Sequence, residues 1–364
     1  MENLRFSHKG PAFPGQLVNS MLAGDVVFLC GAGVSAPQLP TFEKSVNLCF
    51  KRLRLDKSAS EAQSFKDGRY EEVLGSASRR IVDSTELTRT IMGLLEPPAD
   101  PDLSHHHTIL KLSRNLNNQP LIITTNFDTL LEKALFEQGE SEQILSLSYA
   151  GQDLPAPGNA DFGGIIHLHG RIANEHLGLN VTPLVITSAD YGEAYMRAGW
   201  ASRFLFDLCR CKTIVLVGYR AGDAPVRYFL NVLEADRQRF PDLHPVYALD
   251  AVNAHEEVDA RWEALAVEPI AYEYDVNPET EEKNHSVLWR DLERLAEVIE
   301  RPRATRRHWA QEILGKAFAD ADALELDRIA WLFRGQRDLW GVGIEAIKDA
   351  AWFDFFADSK LWSE

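Results

Sequence analysis

"VVFLCGAGVSAPQLPTF", Val26 to Phe42, opens as an apolar strand, breaks at Gly31 and Gly33, and then meets prolines at 37 and 40. Residues Gly31 to Ala36 fit G-x-G-x-x-A, and Asp56 lies about twenty residues on, where a dinucleotide fold keeps its ribose-binding acid. A dehydrogenase needs a helix to begin inside that fingerprint and present its first amides to the pyrophosphate. Pro37 and Pro40 oppose this, because a proline inside a helix removes an amide bond and costs ~3 kcal/mol or more. The chain is expected to leave the turn extended, with "APQLPTF" lying over whatever occupies the strand end. Gly31 and Gly33 permit close backbone approach to phosphates, and Ser35 adds a donor.

Outward from this turn, apolar runs of strand length recur between helical patterns: residues 25–30, 120–125, 164–169, 183–187, 213–218 and 245–250, with a short strand "EPIAYEY" later. Continuous β-branched runs without polar alternation indicate strands buried on both faces, as in a parallel sheet covered by helices. The expected fold class is α/β, a Rossmann-like doubly wound parallel sheet. A first helix is predicted at Gly15 to Gly24, with Gly24 as its stop. Residues 43–118 read as a helical insertion large enough to roof a pocket, with "FEKSVNLCFKRLRL", "YEEVLGSASRRIVD" and "TELTRTIMGLLE" as its helices. Residues 285–300 form an amphipathic helix, and 301–364 a helical C-terminal extension rich in Trp and Phe. The end at "SKLWSE" carries the expectation that a longer protein continues and that 301–364 begins a further domain.

Asp and Glu total 54 against 38 Lys and Arg, a net charge of −16, which repels phosphodiester backbones and disfavours direct nucleic-acid binding. The basic cluster Arg301 to Trp309 is read as a solvated helix start. Four cysteines, at 30, 49, 209 and 211, contain no C-x-x-C pair, so neither a zinc ribbon nor a disulfide framework is indicated. No apolar run approaches the ~20 residues that span a bilayer, and the N-terminus has no signal core, so a cytoplasmic address is expected.

Three further segments place polar residues at strand ends, where open parallel sheets bind ligands. "TTNFD" sets Asn126 and Asp128 just before a helix, where either also suits a cap. "HLHG" sets His167 and His169 two apart, pointing the same way if both lie in the strand. His169, at the exit beside Gly170, is the catalytic candidate; His167 lies deeper and is read as structural. "VGYRAGDAP" ends a strand at Gly218, with Asp223 as cap or ligand wall and Pro225 in the first turn of the next helix.

In this order the motifs, joined by Leu39–Phe42 and by "LVITSADYGEAY" (184–195), resemble the sirtuin-like family of NAD-consuming domains over residues 15–300. The chain departs from sirtuin deacylases in lacking the paired C-x-x-C ribbon, in Thr125 before Asn126, and in Glu43 after Phe42. The pattern is similar to that of bacterial antiphage-defence proteins in which such a domain destroys cellular NAD. The resemblance implies residues 1–300 as an NAD-binding catalytic domain and NAD as substrate without a metal. It also implies an NAD hydrolase releasing nicotinamide and ADP-ribose, an abortive-infection effector. Asn126, Asp128 and His169 would act on the ribose and nicotinamide. Gly31, Ala32, Gly33, Val34, Ser35, Pro40, Phe42, Gly218 and Asp223 would hold the rest. A homo-oligomer and a phage-protein trigger or regulatory subunit are expected partners, with the Trp-rich tail as their surface. Competing readings are a module that senses NAD or ADP-ribose without turnover, a zinc-less deacylase, and last a dehydrogenase.

Overall fold

Strand-length runs of Val, Ile and Leu become a seven-stranded sheet. β1 (Val26–Cys30), β2 (Leu121–Thr124), β3 (Ser148–Ala150), β4 (Gly164–His167), β5 (Thr213–Val217), β6 (Val246–Val252) and β7 (Glu268–Glu273) lie in the order β3-β4-β2-β1-β5-β6-β7. The pairs from β3 through β6 are parallel, and every residue of β1, β2, β4 and β5 is buried. This is the doubly wound α/β sheet that unalternated apolar strands require. The computed structural model describes residues 3–36, 38–83, 85–139, 144–224, 228, 230, 233, 239–240, 243–253, 256–258, 260–263, 265, 267–277, 279, 283–334 and 337–359. Among them no helix is long and apolar enough to cross a membrane.

Two strand readings are corrected. Residues 183–187 are not a strand, although they run beside 169–171 through Thr182 N to Arg171 O (3.0 Å) and Val185 N to His169 O (2.9 Å). Pro183 has no amide to continue a ladder there. β3 was not anticipated, because three residues, "SYA", carry no readable period. β4 also ends at His167, so His169 stands beyond the strand in a turn closed by Gly170 N to His167 O at 3.2 Å.

The chain divides into two compact units, Met1–Leu22 with Asp250–Val258 and Ile270–Glu364, and Ala23–Leu249 with Asp259–Pro269. In the first, helices Ser286–Glu300, Pro302–Leu314 and Ala323–Phe333 build a core with Trp352 and Phe356 fully buried, and Trp352 Nε1 donates to Lys316 O at 3.1 Å. The basic cluster opens the Pro302–Leu314 helix with Arg303 and Arg307 exposed. Arg306 departs from the solvated reading: it is buried, its guanidinium 4.9 Å above the Trp331 ring.

In the second unit, β1 leads to strands on one side of the sheet and β5 to strands on the other, so their carboxyl ends flank the crevice where such sheets bind ligands. Between β1 and β2 lie α2 (Phe42–Arg52), α3 (Ala59–Lys66), α4 (Tyr70–Ser78), α5 (Glu86–Leu94) and α6 (Ser104–Leu112). Val46, Phe50, Val73, Leu74, Leu87 and Ile91 from α2, α4 and α5 form one core with Phe127 and Ile172, residues that follow β2 and β4. The helical lobe is thereby anchored at the carboxyl edge of the sheet.

At that edge the turns after β1 and β5 meet backbone to backbone. A Cβ on Gly33 would stand 2.7 Å from Gly218 Cα, and one on Gly218, whose φ is +74°, would stand 2.8 Å from Val34 N. Gly218→Ala is therefore expected to lose ~2–4 kcal/mol in denaturant titrations, from left-handed strain plus overpacking. Gly68→Ala shares the strain (φ +72°) but meets nothing within 4 Å, and is expected to lose only about 1 kcal/mol. Equal losses would show that the close contact contributes nothing.

Candidate functional site

The turn after β1 is a 3-10 turn, Ala32–Val34, and not the start of an α-helix. Pro37 lies outside the described residues; α2 begins at Phe42 behind the N-cap Thr41, whose hydroxyl accepts from Lys44 N. The turn's amides are largely engaged. Gly31 N donates to Val217 O (2.8 Å), Gly33 N to Gly218 O (3.1 Å), Val34 N to Gly31 O (3.1 Å) and Ser35 N to Ala32 O. The faces opened by Gly31 and Gly33 are turned toward Gly218 and the Tyr219 ring.

The loop after β2 converges on the same turn. Asn126 Nδ2 donates to Gly31 O at 3.1 Å and to Ser35 Oγ at 3.3 Å, and Ser35 Oγ donates to Asp128 Oδ2 at 3.0 Å. Asp128 also accepts Leu130 N at 3.2 Å, the first amide of α7 (Leu130–Glu137), so it caps the helix and faces the cluster at once. Its burial pushes this carboxyl up. Thr125 Oγ1 and the Tyr219 hydroxyl lie 2.6 Å apart, and that hydroxyl donates to Cys30 O at 2.9 Å, tying the ends of β1, β2 and β5 together.

The two histidines have different surroundings. His167, fully buried, sets Nδ1 3.0 Å from Asn126 O and Nε2 2.7 Å from Glu132 Oε1. With Glu132 ionised, as its lowered and the histidine's raised value favour, both partners only accept, so both ring nitrogens donate and the ring is an imidazolium. Burial opposes that charge, but the Glu132 carboxylate overrides it and raises the histidine. Burial likewise opposes the carboxylate, and the His167 charge and hydrogen bond, with Ser148 Oγ donating at 2.5 Å, hold Glu132 below its ordinary range. His169 meets no charge. Its Nε2 lies 2.8 Å from the Tyr195 hydroxyl, and burial pushes it down to about 3.

The remaining sequence-predicted residues lie around this cluster or apart from it. Gly218 adjoins the turn, whereas Asp223 closes its own loop by accepting Arg220 N at 2.8 Å; Pro225 lies outside the described residues. Phe42 packs edge-on to Tyr70 (5.8 Å) in the helical lobe, and Pro40 O accepts Ser45 Oγ at 3.5 Å, so both serve the entry to α2. Sequence reasoning missed three residues. His106 of α6 is buried with Nε2 3.4 Å from Ser35 Oγ, and burial pushes it down to about 3. Glu132 sits inside "LLEKAL", where one helical turn from Asp128 places it on the inward face. Tyr195 lay within the segment 184–195 without a role of its own.

Residues 120–270 match the profile of the SIR2-like domain, a class that uses NAD. The match takes in Asn126, Asp128, Glu132, His167, His169, Tyr195, Gly218 and Asp223, and begins after the Gly31–Ser35 turn. The chain is 48% identical over 356 residues, 97% of its length, to the uncharacterized protein y4cA of Sinorhizobium fredii (strain NBRC 101917 / NGR234). It spans 29% of that protein's length.

The Glu132–His167 pair predicts a pH window. A lowered carboxyl contributes stability above its unfolded value of about 4.3, lost as pH falls; a raised histidine contributes below about 6.5, lost as pH rises through its folded value. Urea melts of Glu132→Gln are expected to show a deficit of ~3 kcal/mol near pH 6 that narrows toward pH 9. A deficit independent of pH would mean that the pair is not ionised.

Proposed function

We propose that this chain is an NAD hydrolase that cleaves the bond between ribose and nicotinamide to give nicotinamide and ADP-ribose. Nicotinamide leaves as a neutral amine and needs no proton, so the protein must steady an oxocarbenium-like ribose and deliver water. In this reading Asn126 orients the ribose hydroxyls or the water, Asp128 accepts from the nicotinamide carboxamide, and His169 is the general base. The Gly31–Ser35 turn receives the diphosphate, through the Ala32 amide and the Ser35 hydroxyl once the crevice opens. Gly218 and Asp223 wall the adenosine half, and the loop through Pro40 to Phe42 covers it.

The observation that carries the reading is the convergence of Asn126, Ser35 and Asp128 at the carboxyl edge of β1 and β2, within 3.0–3.3 Å of one another through Ser35 Oγ. Two residues before His169, at the end of β4, the His167 ring bonds to the Asn126 carbonyl. The match to a domain class that uses NAD supports the choice of ligand. Depletion of NAD as an antiphage response, a homo-oligomer, a phage-protein trigger, catalysis within residues 1–300 and a regulatory role for 301–364 complete the proposal. One observation favours the second reading, a sensor of NAD or ADP-ribose without turnover: the proposed base is bonded to Tyr195.

Purified protein incubated with NAD, with nicotinamide followed by chromatography, separates the readings. Asn126→Ala and His169→Ala are each expected to lower release by ~10²–10⁴-fold. Turnover unchanged in both would remove the site assignment, and tight NAD binding with no release from the wild type or from a Tyr195→Phe variant would favour the sensor.

A further inference from the structure

A general base needs a free lone pair, and His169 Nε2 is bonded to the Tyr195 hydroxyl at 2.8 Å. Burial keeps both partners uncharged, lowering the imidazole and holding the phenol above its ordinary range. In either imidazole tautomer Nε2 is occupied. The ring is also enclosed: Tyr191 and Tyr195 stand edge-on to it at 5.1 and 5.8 Å, Tyr191 stacks on Tyr195 and on Tyr228, and Tyr195 meets Tyr228 at a tilt. His169 is 1% exposed, so a sugar hydroxyl or a water reaches Nε2 only by displacing the phenol.

Tyr195 belongs to an unusual backbone. Residues Gly192–Arg197 form a π-helix, shown by Ala198 N donating to Glu193 O, five residues back, at 3.0 Å. Such widened turns are rare and concentrate at functional sites. The segment follows a single helical turn, Ser188–Tyr191, and ends at Gly199 in the left-handed region (φ +62°) before the helix Trp200–Cys211. Its buried residues are Ala194 and Tyr195, with Tyr191 buried just before it; on its outer face Met196 is 70% exposed and Glu193 pairs with Arg197 at 2.6 Å. Tightening the widened turn to 3.6 residues would turn the side chains within it about the helix axis, Tyr195 among them.

We propose that Tyr195 is a plug built into this site: the π-helix seats its hydroxyl on His169 Nε2 at rest, and rewinding of residues 192–197 hands that nitrogen to the substrate. Its purpose rests on the hydrolase reading; its geometry does not. The plug accounts for how a chain that would destroy a healthy cell's NAD holds its assembled groups inactive.

Diethyl pyrocarbonate, which acylates a free imidazole nitrogen, tests the plug without NAD, with mass spectrometry locating the product. His308, whose side chain is 74% exposed, is the internal reference. The wild-type His169 is expected to react at least about tenfold more slowly than His308. Tyr195→Phe keeps the ring and loses the hydroxyl, and should speed modification severalfold; Tyr195→Ala should speed it about tenfold. Thermal melts confirm that each variant is folded, and the Phe variant decides alone if the Ala variant is not. Nicotinamide release from added NAD should rise in the same order. A wild-type His169 as reactive as His308, or a folded Tyr195→Phe with His169 still at the wild-type rate, overturns the plug. If the footprint opens while no variant releases nicotinamide, the plug stands and the hydrolase reading falls.

Discussion

An imidazolium buried between a carboxylate and a peptide carbonyl is the constraint on which the candidate site depends. His167 binds Glu132 on α7 through one nitrogen and the Asn126 carbonyl through the other, so one ring joins β4, α7 and the loop between β2 and α7. A buried ion pair is not itself a strong stabiliser, since desolvation offsets most of the attraction and a packed apolar pair of similar volume often does as well. What it supplies is an orientation that apolar packing does not specify. With its backbone fixed at the carbonyl, and again where its amide donates to Thr124 Oγ1 at 3.0 Å, Asn126 aims its side chain at Gly31 and Ser35.

The second constraint is the contact of two glycine turns at the crevice between β1 and β5. Gly33 and Gly218 let their backbones approach more closely than any side chain permits, and the amides that would greet an anion donate instead to neighbouring carbonyls. Together with the bond on His169 Nε2, this gives the proposed site groups that are in place while their approaches are occupied by protein. In the proposed reading pre-assembly and closure are compatible, because the Glu132–His167 pair would lie beneath the groups a ligand meets, whereas the glycine contact and Tyr195 would have to give way to it. Opening therefore need not disturb the alignment of Asn126.

Fold and site were legible to different depths. Strands β1, β2, β4, β5 and the first half of β6 were readable because a strand buried on both faces has no choice but a continuous apolar run, whereas β7, "EPIAYE", alternates buried with part-exposed residues. The run at 183–187 misled, since Pro183 breaks the ladder that its neighbours' side chains suggest. In the site, Asn126 and Asp128 were readable from their place immediately after such a run. His106 and Glu132 were not, because each sits inside a helix where a polar residue looks like a solvated face until packing turns it inward. Tyr195 was hidden for a different reason: a π-helix has no period that sequence patterning searches for.

The histidines show most directly where sequence stops. His167 and His169 are the same residue type two positions apart, and a strand through both would give them one face and similar chemistry. The strand ends between them, and the turn at Gly170 separates their surroundings. One ring meets two acceptors, gains a second proton and loses its lone pairs. The other meets neutral tyrosines, and burial strips it of charge while leaving it a nitrogen able to accept. Proton abstraction needs an unprotonated nitrogen, so His167, the more basic of the two, is the one that is unable to serve as base. If His169 is the base of the proposed hydrolase, the Tyr195 hydroxyl on its Nε2 makes access to it, and not its basicity, the variable on which the proposed plug would act.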